Sequence, residues 1–271
     1  RITKHPTVPM KRTYCILALI GLALTPATAG DYAIESDSKQ VAYSPPPAYE
    51  NPWAFELNPY FWFANLKGAV GVAGTNSDID VGIDDIFDNL DFAFATSAGV
   101  RYHRVGLFAD FMYLKITPSF EQPGPLFGRT DLSLEQTLLD LKGTYRVVES
   151  ERGWIDILVG ARYTKMDLGL TLQPGLAPQQ GGSGSESWWN AVGGLRAHYN
   201  LSDRVFLTGL ADVGGGSSDI TWQALGGVGY QISERTHFTA GYRYMVDDYT
   251  NGGFKYDVKT RGAYIELGME W

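Results

Sequence analysis

The sequence predicts an all-β fold, an antiparallel transmembrane β-barrel of ten strands, and three observations carry that reading. From Trp53 to Trp271, segments of about ten residues alternate apolar and polar side chains and are parted by turn residues. A period of two marks a strand with two unlike faces, and repeated alternating segments of this length are the signature of a membrane barrel. Aromatic residues also gather near segment ends, at two levels. Finally, the polar faces carry Arg and Asp in mid-segment, where the outer face of a soluble sheet would more often carry Lys, Glu and Thr. No apolar run after residue 29 reaches the roughly 20 residues of a membrane helix, so any crossing falls to strands.

The chain opens with residues that read as export machinery. Met10, Lys11 and Arg12 form a basic start, Ile16–Leu24 an apolar run, and Ala27-Thr28-Ala29 a small-residue site for cleavage before Gly30. Residues 1–29 are therefore expected to be upstream residues and a signal peptide, with 30–52 a periplasmic, proline-containing segment and 53–271 the barrel. Processing removes Arg1, Lys4, Lys11 and Arg12, leaving 18 bases against 30 acids and a net charge of −12. It also removes Cys15, the only cysteine, and with it any disulfide or cysteine metal site. The acidic balance argues against a nucleic-acid partner.

Ten segments follow in order, near 53–72, 91–103, 106–118, 130–147, 153–170, 187–199, 204–214, 218–231, 236–248 and 256–271. Their connections alternate. Arg104-Val105, Glu149–Arg152, Asn200–Asp203 and Ser233–Arg235 are short, whereas 73–90, 119–129 and 171–186 are long and rich in Gly, Pro, Asp and Ser. Short periplasmic turns and longer external loops are the barrel pattern, and an even strand count places both termini in the periplasm. Eight strands, or twelve if Trp53–Val81 folds as its own hairpin, are the alternatives.

The fifth segment sets Ile155, Ile157, Val159, Ala161 and Tyr163 against Asp156, Gly160, Arg162 and Thr164. In a membrane barrel the apolar set meets lipid and the polar set lines the interior. Aromatics expected at one interface are Phe55, Tyr102, Trp154, Tyr199, Tyr230 and Trp271; at the other, Phe63, Tyr113, Trp189, Trp222 and Tyr244. Gly99-Val100-Arg101-Tyr102, Gly160-Ala161-Arg162-Tyr163 and Gly241-Tyr242-Arg243-Tyr244 repeat one arrangement, Gly and Arg inward with Tyr outward, a geometric requirement common to barrel strands.

Four stretches carry a resemblance: Asn58-Pro59-Tyr60-Phe61-Trp62, Asp88-Asn89-Leu90-Asp91-Phe92-Ala93, Gly160-Ala161-Arg162-Tyr163 and Asp219-Ile220-Thr221-Trp222-Gln223-Ala224. With them, the region Pro59–Trp271 resembles a proteobacterial outer-membrane family within the broad OmpA/OmpW-like barrels. The last strand, with Ile265, Leu267, Met269 and Trp271 on one face, resembles the closing strand and assembly signal of such barrels. The resemblance implies architecture and an outer-membrane location, with lipid, lipopolysaccharide and the barrel-assembly machinery as partners. It supplies no catalytic residues.

Face assignment gives a lumen charge network of twelve residues. The acids are Glu56, Asp110, Asp140, Asp156, Asp212 and Glu266; the bases are Arg101, Lys142, Arg146, Arg162, Arg196 and Arg243. Equal numbers of each sign suit an interior closed by paired ions, since an unpaired buried charge costs several kcal/mol. A selective pore would more naturally carry a ring of one sign. On this reading, Arg162→Ser with Arg243→Ser raises conductance.

The expected function is therefore envelope structure or limited passage of small solutes, without cofactor or metal. The alternative is a gated or lateral conduit for small hydrophobic molecules, with Trp62, Trp188 and Phe108 forming an apolar pocket. An enzyme is the weaker reading, because His103, His198 and His237 all fall near the periplasmic ends of their strands. Asp78-Ile79-Asp80-Val81-Gly82 lacks the ligand spacing of a calcium loop and alternates as a strand does. Gly181-Gly182-Ser183-Gly184 reads as a mobile external loop.

Overall fold

The computed structural model describes residues 52–121 and 126–271. The leader expected over 1–29 and nearly all of the 30–52 segment lie outside the described residues. The elements are β1 (Trp53–Val72), β2 (Thr75–Val81), α1 (Ile83–Asp88), β3 (Leu90–Tyr102), β4 (Val105–Ile116), β5 (Ser119–Glu121), β6 (Phe127–Ser150), β7 (Gly153–Pro174), β8 (Gln180–Asn200), β9 (Val205–Gly216), β10 (Ile220–Ser233), β11 (Thr236–Asn251) and β12 (Phe254–Glu270). Neighbours in sequence pair antiparallel around the wall from β3 to β12, passing over β5, and β1 joins β3 to β12. The ring is closed. Two short strands are appended to it, β2 on β1 and β5 on β6. Trp53–Val81 thus does form a hairpin, through a turn in which Ala73 and Gly74 both take positive φ.

Closure joins the two ends of the described chain. Phe61 faces Ile265 and Leu57 faces Met269. Beyond β12, the Trp271 N–H donates to the Phe55 carbonyl at 3.1 Å and the Phe55 N–H returns the bond at 2.9 Å. Closing the ring on itself removes the free edge strands that an open sheet would expose in lipid, the condition for crossing a membrane with strands.

On β6, β7 and β12 the two faces exchange character part-way along the strand. On β7 the outward residues Ile155, Ile157, Val159, Ala161 and Tyr163 give way to Lys165, Asp167, Gly169 and Thr171. Over the same interval the inward Asp156 and Arg162 give way to Met166, Leu168, Leu170 and Leu172, all at most 5% exposed. The β6 outward set passes from Leu141 and Leu139 to Glu135 and Ser133, and its inward set from Lys142 and Asp140 to Leu134 and Leu132. Likewise β12 passes outward from Leu267, Ile265 and Ala263 to Arg261 and Lys259. Below the switch the wall is a membrane barrel. Above it, the strands enclose an ordinary apolar core, with Leu66, Val70, Leu134, Leu168, Trp188 and Tyr256 among its members. The lipid-facing run Ile155–Tyr163, at about 3.4 Å per residue and the usual tilt of about 40°, rises roughly 20 Å; flanking aromatics complete the expected band of about 25 Å.

Two expectations need correction. Residues 171–186 are mostly strand, with Leu170 opposite Gly182 and Leu168 opposite Gly184, so the Gly-rich stretch is part of the wall and not a loop. Glycine serves there because a side chain at Gly182 would meet the Ala73 methyl at 2.9 Å; bare backbone lets the β1–β2 turn pack against β8. Trp154 does not join the periplasmic aromatic level. It shares the inward parity of Asp156, stacks on His198 with centroids 5.6 Å apart, and lies 4.3 Å under the Arg146 guanidinium.

The outer extension is fastened by polar contacts as well. Asp131 accepts hydrogen bonds from Gln173 at 2.6 Å and Ser119 at 2.7 Å, linking β5, β6 and β7. These bonds hold its carboxyl below the usual aspartate range.

Candidate functional site: a charged layer across the lumen

At mid-height the barrel interior is crossed by a continuous network. Arg162 on β7 donates to Asp140 through Nε (2.7 Å) and Nη2 (2.9 Å), and to Asp212 through Nη2 (2.9 Å). Lys142 bridges the same two carboxylates at 2.7 and 2.6 Å. Gln223 extends the cluster: its amide N–H donates to Asp140 and Asp212, while its carbonyl accepts from Arg243. Arg243 then reaches Asp110 at 2.9 Å and Tyr60 at 2.8 Å, and the Tyr60 hydroxyl donates to Asp110 at 2.8 Å.

Three carboxylates thus meet three cations, and none of the six is more than 5% exposed. Their side chains come from β4, β6, β7, β9 and β11, with Tyr60 from β1 and Gln223 from β10. Groups reaching in from around the wall meet at the axis. Arginine suits such a site, since its planar fork engages two carboxylates at once. Its remaining donor is also satisfied, Arg162 Nη1 bonding the Thr221 hydroxyl at 2.9 Å.

The other expected network residues stand elsewhere. Arg196 forms a two-point pair with Glu56, at 2.5 and 2.8 Å, nearer the periplasmic end, and its guanidinium lies 4.8 Å from the Phe108 ring. Arg146 pairs with Asp156 at 2.8 Å and approaches Glu149 at 3.5 Å. Arg101 is not in the mid-barrel cluster; it donates to the His103 carbonyl at 2.8 Å beside the β3–β4 turn. Glu266 also stands apart, its carboxylate 3.9 Å from His237. These pairs border a cavity of about 900 Å³ whose lining includes Glu56, Arg196, His198 and His237 together with turn residues Glu151 and Arg152. The periplasmic half of the lumen is a vestibule.

Tyr60, Thr221 and Gln223 also belong to the network, and being neutral they do not stand out among the charges of the sequence. Strand parity would have found them, because Gln223 lies opposite Asp212 and two residues from the inward Thr221. Asp247 was likewise omitted; it is buried on β11 and accepts from Thr164 at 3.3 Å. Apolar layers lie on both sides of the network. Phe108, Leu158 and Leu210 separate it from the vestibule, and Met112, Leu138 and Met245 cover its outer side, followed by Trp188 stacked on Tyr249 at 4.0 Å. Trp62, Trp188 and Phe108 all point inward, yet they occupy different layers and share no single pocket.

His103 sits in the β3–β4 turn, and His198 shares a hydrogen bond with Asn200. Among the described residues, no group of three or more His, Cys, Asp or Glu is placed to hold a metal ion.

No protein-family model matches the chain. No curated protein matches it either. Among solved structures, it is similar to the translocator domain of the autotransporter NalP from Neisseria meningitidis, at 15% identity and a TM-score of 0.47, covering 82% of this chain and 90% of that one. The outer membrane protease OmpT from Escherichia coli gives 7% identity and a TM-score of 0.47, with coverage of 81% and 96%. Ail, the attachment invasion locus protein of Yersinia pestis, gives 11% and 0.34, with coverage of 81% and 99%. These likenesses concern the barrel alone. The closed ladder, apolar outer belt and charged interior of the chain itself are those of a barrel of the bacterial outer membrane, where the protein resides.

Proposed function

We propose that this protein is a closed, non-enzymatic barrel that serves as a wall element of the outer membrane and conducts no ions at rest. The observation that carries the reading is the charged layer, with Asp110, Asp140 and Asp212 neutralised by Lys142, Arg162 and Arg243 across the axis. A narrow lumen crossed by paired side chains and backed by apolar layers offers ions no hydrated path. Supporting the non-enzymatic reading, the three histidines among the described residues lie at the periplasmic end, and the outer-rim acids Asp78, Asp80, Asp84, Asp85, Asp88 and Asp91 are solvent-exposed.

Residues 30–271 refolded into planar lipid bilayers are expected to show no discrete current steps while retaining the heat-modifiable gel mobility of a folded barrel. Stable unitary steps would overturn the proposal. Arg162→Ser with Arg243→Ser alone is now expected to remain silent, since Met112, Leu138 and Met245 still obstruct the outer half.

Ile265, Leu267, Met269 and Trp271 are proposed to act during assembly, through the barrel-assembly machinery. The ladder bonds at Trp271 are made by backbone, and the ring itself is 58% exposed. Trp271→Ala should therefore lower the heat-modifiable fraction recovered in cellular outer membranes. The stability of purified, refolded barrel should change by no more than about 1 kcal/mol. Equal losses in both measurements would assign Trp271 to the wall alone.

A further inference from the structure

The wall has one interruption. β1 and β3 pair from Trp53 opposite Tyr102 to Pro59 opposite Thr96, and the same edge of β1 is next used by β2, from Leu66 opposite Val81. Between these points residues 60–65 keep their pairing to β12 on one side but have no ladder partner on the other. Over the matching height, β3 from Leu90 to Ala95 pairs with β4. The strands part immediately after Pro59, which has no N–H to offer a ladder. The upper end is bridged by α1, whose Ile83 N–H donates to Asn65 Oδ1 at 2.8 Å.

Behind the interruption lies a cavity of about 190 Å³. Phe61 and Phe94 form its outer lips, Trp62, Ala95 and Met112 its inner walls, and Ile86 its roof. The slot runs from the lipid-facing surface into the interior and ends there, because Tyr60, Asp110 and Arg243 close the lumen beneath it. Its lips stand at the outer aromatic level, where Phe61 packs on Phe63 at 4.9 Å and on Phe87 at 5.7 Å. Just above, the neighbouring strand presents Arg261 opposite Asn65 and Lys259 opposite Lys67, both exposed. From Phe61 to the level of Arg261 is four residues, roughly 13 Å of strand. An apolar slot at the outer aromatic level therefore lies beneath two exposed cations.

We propose that this slot binds one acyl chain of an anionic, phosphate-bearing lipid of the outer leaflet, with Arg261 and Lys259 engaging the headgroup. The chain enters sideways between β1 and β3 and stops against Trp62 and Met112. The slot is a lipid-binding site and not a passage.

The test uses residues 30–271 refolded into phosphatidylglycerol vesicles doped with a phosphatidylglycerol carrying a photoreactive diazirine on its acyl chain. Cross-linked residues are mapped by mass spectrometry. Lipid merely surrounding the barrel can reach Phe94 and Val159 but not Met112, which is 8% exposed on the inner face. The expected result is labelling of Met112 and Trp62 that disappears in Ala95→Phe, which fills the slot. Lys259→Gln and Arg261→Gln, surface changes that leave the fold intact, should each reduce that labelling about fivefold. Adducts confined to outward residues, or Met112 labelling unchanged in an Ala95→Phe barrel of normal heat-modifiability, would overturn the site. Equal labelling of Met112 from a phosphatidylcholine probe in phosphatidylcholine vesicles would overturn its anionic headgroup preference.

Discussion

Replacing Arg162 by alanine is expected to lower the unfolding free energy of the barrel by about 3–5 kcal/mol, the usual consequence of leaving a buried ion without its partner. Arg162 makes four hydrogen bonds at 0% exposure, three of them to Asp140 and Asp212. Without it, two buried carboxylates face one lysine. Urea unfolding in lipid vesicles, followed by tryptophan fluorescence, measures the loss. The paired replacement Arg162→Met with Asp140→Leu removes one charge of each sign and restores apolar volume. It should recover much of the deficit, because well-packed apolar substitutes for buried ion pairs are often neutral or better. A cost below about 1 kcal/mol for Arg162→Ala would mean that water reaches the layer.

The largest contrast on the outer surface is expected between two substitutions on one strand. Val159→Arg places a charge on the lipid face of β7, near the middle of the apolar belt, where the cost is about 2–4 kcal/mol. Thr171→Arg, on the same outward face but above the polarity switch, should cost close to nothing. Val159 is 66% exposed, so the penalty comes from lipid and not from a packed core. The same unfolding experiment reads both variants. Similar small effects at the two positions would remove the membrane from the description of this wall, whereas the expected contrast places the upper edge of the apolar belt between them.

Most of the architecture was legible because strand parity is a short-range property. Once Ile155, Ile157 and Val159 are set to one side, Asp156 and Arg162 must lie on the other, and lipid then decides which side is outside. The polarity switch was harder to read. Above Tyr163 the outward residues are Lys165, Asp167, Gly169 and Thr171, so the polar–apolar alternation continues with its meaning reversed, and Gly and Thr there resemble loop chemistry. Trp154 misled for a related reason: an aromatic at a strand end suits an interface belt, but parity binds it to Asp156. The pairing of charges was out of reach for another reason. Lys142 and Asp212 are 70 residues apart and touch only because the ring brings β6 and β9 to a common axis. Composition gave the balance of signs, the β6–β7 register sets Asp140 opposite Arg162, and closure gives the partners across the axis. The gap beside residues 60–65 was invisible as well, since the sequence there reads as an unbroken, largely aromatic strand, and only the departure of β3 after Pro59 opens it.

The way β12 returns to β1 has a kinetic consequence. Trp62 and Tyr264 are adjacent in the wall though about 200 residues apart in the chain, so the last seam joins the most distant parts of the sequence. Such long-range pairing is entropically slow. Until the seam closes, the central layer lies on an open, curved sheet, and contacts that cross the axis, such as Lys142 to Asp212, are not held in place. Dehydration of the interior and sealing of the wall should therefore coincide as one cooperative event, at the very end of assembly. A half-made barrel is a wet trough that keeps its charges in water and resists premature collapse, and the central layer of the finished one is buried at the moment the wall becomes whole.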